Sequence, residues 1–202
     1  MSIKALIWDL EGVLLVSDDR KIEAMVARNL GVSEEVIGNF FHSDFNNRVD
    51  LGEFTQEEFW LKLLDHLGMP KDRLSGINDF FYRDLYIDQD MLERIKDYRK
   101  RYKSAMLSNY SDVLRPMLES CWRVDGAFDE IIISWEVKLI KPDPRIFDLT
   151  LQRLGVKKDE AVLIDDRIVN IQGAQKYGLH TVHFQTREQA LADLEELLDL
   201  HS

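Results

Sequence analysis

The run Lys4-Ala5-Leu6-Ile7-Trp8-Asp9-Leu10-Glu11-Gly12-Val13 decides how the rest of the chain is read. An apolar stretch breaks off at a carboxylate, a second carboxylate follows two residues on, and a glycine then frees the backbone to turn. A buried strand that ends in Asp places that carboxylate at the carboxyl edge of a sheet, where open α/β folds keep their ligands. Taken alone, the run is equally well a strand followed by an acidic turn. Three later stretches tip the balance.

Downstream, apolar runs at residues 104–108, 131–133, 161–164 and 180–183 read as short strands. Helical spacing lies between them. Met91, Leu92, Ile95 and Tyr98 mark one helix, and Val113, Leu114, Met117 and Leu118 another. Ile146, Leu149, Leu151 and Leu154 mark a third that closes at Gly155, and residues 168–177 a fourth that closes at Gly178. A leucine-rich tail ends the chain. This alternation implies a doubly wound parallel α/β sheet with helices on both faces.

From residue 17 to residue 88 the signal is helical, with no strand. Ser17-Asp18-Asp19 reads as a helix start, followed by Ile22, Met25, Val26 and Leu30. Val36, Phe40 and Phe41 mark a second segment. Thr55-Gln56-Glu57-Glu58 has the form of a capping box ahead of Phe59, Leu63, Leu64 and Leu67. Leu74, Ile77, Phe80 and Phe81 close the series. The expected organisation is a core from residues 1–16 and 89–202, with an inserted helical cap of four or five helices at 17–88.

Composition narrows the partners. The 202 residues carry 26 bases and 37 acids, a formal charge of −11, which argues against nucleic acid or an anionic membrane as the main partner. A single cysteine, Cys121, excludes an internal disulfide and a thiolate metal cluster. No apolar run approaches membrane-spanning length and no leader pattern opens the sequence. A cytoplasmic protein, monomer or homodimer, is expected.

Four positions carry chemistry: Asp9 with Glu11, Ser108 with Asn109, Lys141 before Pro142, and Asp165-Asp166 followed by Asn170. Each is weak alone, because Ser-Asn caps helices, Lys-Pro makes turns and paired acids suit a helix start. Each is expected just after a strand, in this order. With these residues in place the chain resembles the haloacid dehalogenase (HAD) superfamily of phosphohydrolases. WDLEGVL, LSN, KPDPRIF and LIDDRIVNIQGA match its four motifs. LGEFTQEEFW resembles cap segments of the branch with sugar-phosphate phosphatases and the epoxide hydrolase phosphatase domain.

The resemblance implies a Mg²⁺-dependent phosphatase acting on a small phosphorylated metabolite, such as a sugar phosphate or nucleotide. Asp9 would be the nucleophile, forming an aspartyl-phosphate. Asp9, the Glu11 carbonyl and Asp166 would hold the metal, with Asp165 on it or just behind it and Asn170 orienting its neighbours. Ser108, Asn109 and backbone N–H groups after Asp9, beginning with Leu10, would hold phosphoryl oxygens, and Lys141 would offset the developing charge. The family's usual residue two after the nucleophile is Asp, where this chain has Glu11, a longer carboxyl in the general acid and base position. That departure leaves two rivals, a catalytically weak scaffold and a 2-haloacid dehalogenase. In the cap, Asn47 and Arg48 are candidate substrate contacts, and His42 is read as a surface or packing residue.

Overall fold

The computed structural model describes residues 2–17 and 22–200. Ala5–Trp8 (β1) and Leu15–Ser17 (β2) come first. Five helices follow: Ile22–Leu30 (α1), Glu34–Phe41 (α2), Asp44–Asp50 (α3), Gln56–His66 (α4) and Leu74–Asp84 (α5). Leu85–Ile87 (β3) returns the chain. Then come Gln89–Arg99 (α6), Lys103–Ser108 (β4), Leu114–Ser120 (α7), Glu130–Ile133 (β5), Ser134–Val137 (α8) and Pro144–Leu154 (α9). Ala161–Asp165 (β6), Ile168–Tyr177 (α10), His180–His183 (β7) and Arg187–Leu200 (α11) complete it.

Strands β1 and β4–β7 form one parallel sheet in the order β5-β4-β1-β6-β7. Central β1 is buried throughout, and its side chains alternate: Leu6 and Trp8 join one hydrophobic layer, Ala5 and Ile7 the other. That alternation explains why its sequence is continuously apolar. The chain leaves β1 for β4 on one side and reaches β6 on the other, so a crevice opens at the carboxyl ends of these three strands.

The five helices between β2 and β3 pack around an aromatic cluster in which Phe59 meets Phe40 and Phe41 at 5.2 Å and Trp60 at 5.0 Å between ring centroids. Helix α4 starts where the sequence predicts, with Thr55 Oγ1 accepting from the Glu58 N–H and Glu58 Oε2 accepting from the Thr55 N–H. The same end docks on the sheet. The Gln56 N–H donates to Asp112 Oδ1 at 2.8 Å and Ser111 Oγ to Gln56 Oε1 at 2.6 Å.

Four expectations change. The region read as strand-free contains β3 and the last residue of β2, which pair antiparallel and tie the two ends of the helical insertion together. Helix α3 is additional. The helix start at Ser17-Asp18-Asp19 falls partly outside the described residues; Ser17 itself ends β2, and α1 is described from Ile22. Lys141 does not follow a strand directly, because α8 lies between it and β5.

Candidate active site

Asp9 follows β1 and Asp165 ends β6, adjacent strands in register at Trp8 and Ile164, so the two carboxylates arrive side by side. Lys141 reaches them from the loop between α8 and α9. Its Nζ lies 2.8 Å from Asp9 Oδ1 and 2.6 Å from Asp165 Oδ2, and all three residues are buried. Burial works against the Lys141 charge, but Asp165 and Asp9 hold its pKa above the usual range.

The two Asp partners are not equivalent. Asp165 is fully engaged: Oδ1 accepts from the Arg167 N–H and Asn170 Nδ2, and Oδ2 from Lys141 and Asn170 Nδ2. Burial opposes its ionisation, yet Lys141 and these bonds hold it below the ordinary carboxylate range. Asp9 Oδ1 accepts from Lys141 and from the Leu10 N–H at 2.7 Å, while Oδ2 accepts no hydrogen bond among the described residues. Burial, and then Asp165, push Asp9 upward.

Asp166 stands at the cavity edge against Gly12. A Cβ on Gly12 would lie 2.5 Å from Asp166 Oδ2, and its φ of +78° is one that side chains rarely adopt. That explains the glycine in the opening run. Burial, with Asp165, lifts the Asp166 carboxyl to about 6. One oxygen from each of Asp9, Asp165 and Asp166 falls within 4.8 Å of the others, the one group of metal-ligand residues so arranged among the described residues. With Lys141 the one ammonium in contact with these carboxylates among the described residues, the donor set has the hard-oxygen chemistry and charge deficit that suit a divalent cation.

Ser108 and Asn109 end and follow β4. Ser108 Oγ is buried with no hydrogen-bond partner among the described residues, and Ser108 does not itself line the cavity over Asp9. Asn109 is occupied differently: Nδ2 donates to the Lys141 carbonyl at 3.0 Å and Oδ1 accepts from the Lys141 N–H at 2.8 Å. The Asn109 amide therefore fixes the lysine loop. A second brace is Gly173 on α10, where a Cβ would meet Pro142 at 2.3 Å, so this helix must stay bare to hold the loop.

A cavity of about 960 Å³ covers Asp9, Glu11, Asn109, Lys141 and Asp166 and extends under the helical insertion. Glu11 is partly buried in it. Burial, then Glu23, push its carboxyl up to about 8. The cap candidates change here. Arg48 points away, pairing with Glu53 at 2.7 Å and lying over Phe54, and neither it nor Asn47 lines the cavity. His42, Asn46 and Asp50 do. Asn46 and Asp50, four apart on α3, share one helical face, a signal the sequence carries once α3 is known, whereas His42 caps the end of α2.

A family model described as haloacid dehalogenase-like hydrolase matches residues 3–178. The chain belongs to the haloacid dehalogenase-like hydrolases. Among HAD relatives it is 26% identical over 200 residues to (S)-2-haloacid dehalogenase 4A of Burkholderia cepacia, covering 90% of this chain and 82% of that one. It is 27% identical to glyceraldehyde 3-phosphate phosphatase of Pyrococcus furiosus, covering 96% and 85%. It is 29% identical to acyl-CoA dehydrogenase family member 10 of Mus musculus, covering 98% of this chain but only 19% of that protein's length. A HAD family enzyme of Bacteroides thetaiotaomicron, crystallised with magnesium and inorganic phosphate, superposes with a TM-score of 0.73 at 26% identity, covering 92% and 96%. Among the described residues no helix is long and apolar enough to cross a membrane.

Proposed function

We propose that this HAD-like hydrolase is a Mg²⁺-dependent phosphomonoesterase acting on a small phosphorylated metabolite through an aspartyl-phosphate. The observation that carries the reading is the pairing of a buried Asp9, whose Oδ2 accepts no hydrogen bond among the described residues, with Lys141 beside Asp166 at the cavity edge. The phosphatase relative and the magnesium and phosphate of the superposed enzyme support it. Asp9, Asp166 and the Glu11 carbonyl would hold the cation, whose positive charge would keep the carboxylates ionised and neutralise phosphoryl oxygens. Asp165, with both oxygens engaged, acts behind them by holding Lys141.

The chain's own groups divide the chemistry in two. Asp9 attacks phosphorus, and the ester P–O bond breaks as the leaving oxygen takes a proton from Glu11. Water then attacks the same phosphorus, gives its proton to Glu11, and restores Asp9 as inorganic phosphate departs. A carboxyl that titrates near 8 holds its proton at neutral pH, which suits the first step. Lys141 and the Ser108 hydroxyl would bear on the charge that develops on the transferring group.

The test is turnover of p-nitrophenyl phosphate and of alkyl phosphates with Mg²⁺, by wild type and by Asp9→Asn. The reading expects activity in the first and none in the second. Halide release from 2-chloropropionate without metal, and no phosphate release, would replace it with the dehalogenase reading.

A further inference from the structure

We propose that His183 is a positioning residue for the Mg²⁺ site, holding the Asp166 main chain where its carboxylate can bind the ion. The inference rests on the phosphatase reading, in which Asp166 is a metal ligand. His183 ends β7, the edge strand of the sheet, and pairs in register with Asp165. Its Nε2 lies 2.9 Å from the Asp166 carbonyl oxygen. A carbonyl only accepts, so this ring nitrogen carries the proton and donates.

The Asp166 carbonyl needs that donor. Asp166 precedes Arg167, the N-cap of α10, so its oxygen lies outside the helix ladder. No other hydrogen bond reaches it among the described residues. Its neighbours are held by other means. The Asp165 carbonyl accepts from the Phe184 N–H at 2.9 Å, and the Arg167 N–H donates to Asp165 Oδ1 at 2.9 Å. At Asp166 the hold comes from a side chain of the edge strand.

His183 is itself set firmly. Thr186-Arg187-Glu188-Gln189 makes a capping box at the start of α11: the Gln189 N–H donates to Thr186 Oγ1 at 3.2 Å, and the Thr186 N–H to Gln189 Oε1 at 3.4 Å. Gln189 Nε2 also donates back to the His183 carbonyl at 3.1 Å. A brace therefore runs from α11 through Gln189 and His183 to the Asp166 carbonyl. At its far end the Asp166 carboxylate stands against Gly12 and beside Asp9 and Asp165. A water at the carbonyl would satisfy its hydrogen bond but would tie it to nothing. Loss of a group that orients a metal ligand costs about 10–100-fold in metal affinity.

Calorimetric titration of wild type, His183→Phe and His183→Gln with Mg²⁺ decides it. Phe keeps a ring and loses the donor, whereas Gln loses the ring and keeps an N–H at similar reach. Positioning predicts a Mg²⁺ Kd weaker by about tenfold or more in the Phe variant and close to wild type in the Gln variant. A packing role predicts the reverse order. In turnover the loss should appear in the Mg²⁺ concentration that gives half activity, with kcat at saturating Mg²⁺ changed far less. A folded His183→Phe protein that binds Mg²⁺ as tightly as wild type overturns the inference. Should that variant not fold, wild type carries the test by heteronuclear NMR: the His183 ring should hold its proton on Nε2, and its signals should move when Mg²⁺ is added. A bare Nε2, or signals indifferent to Mg²⁺, would overturn the inference as well. Failure of the metal reading looks different, because wild type itself would then take up no Mg²⁺ and the inference would fall with it.

Discussion

Lys141→Met tests the charge network without reference to turnover. The side chain removed is buried and touches both Asp9 and Asp165, so two buried carboxylates lose their cation together. Deleting one partner of a buried ion pair costs about 3–5 kcal/mol. The variant limits that cost by keeping a proton on one carboxylate when folded. Each pH unit above an ordinary carboxylate pKa then adds about 1.4 kcal/mol. Relative to wild type, the loss should grow from about 1–2 kcal/mol at pH 5 to about 5 kcal/mol at pH 8. The sign follows from linkage: a carboxylate with a raised folded pKa binds its proton mainly when folded, so stability falls as pH rises through that window. Urea unfolding of metal-free protein, followed by circular dichroism, measures it. A loss under about 1 kcal/mol that does not change with pH would refute the network as described.

Glu11→Gln should lower kcat on an alkyl phosphate by roughly 10²–10⁴-fold and affect p-nitrophenyl phosphate far less, because that leaving group needs little protonation. Equal rates on alkyl phosphates would remove its proton-transfer role; Glu11→Asp, with the family's usual reach, should keep the activity. Asp50, pushed by burial up to about 7, has a raised folded pKa and so loses stability between its unfolded value and there. Metal-free Asp50→Asn should therefore be more stable than wild type by about 1–3 kcal/mol at pH 8 and no more stable below about pH 4, as differential scanning calorimetry would record. Gly12→Ala should cost about 1–2 kcal/mol from its positive φ and displace Asp166, weakening Mg²⁺ binding in a calorimetric titration.

The sheet was legible because its strands are buried runs bounded by turn residues, and the residues after β1, β4 and β6 carry the expected polar groups. What escaped had little local signal. Strands β2 and β3 are three residues each and exist by pairing across the whole insertion, as Leu15 with Ile87 shows. Helix α3 buries only Val49, so Asp44–Asp50 has no apolar periodicity to read. That hid Asn46 and Asp50, and left Asn47 and Arg48 as the visible polar candidates. Helix α8 has only four residues, too few to show a helical period, so in sequence Lys141 reads as following the strand at 131–133. The Asn109 grip on the Lys141 backbone joins residues 32 positions apart, a pairing that no local pattern encodes.

The central claim is that Asp9 accepts the phosphoryl group. Wild-type protein is mixed with p-nitrophenyl phosphate and Mg²⁺, quenched in acid during turnover, digested and analysed by mass spectrometry. The account predicts a phosphoryl group on Asp9, lost in Asp9→Asn and absent when Mg²⁺ is chelated. Turnover with no phosphorylated Asp9 peptide, together with an Asp9→Asn protein as fast as wild type, would contradict it.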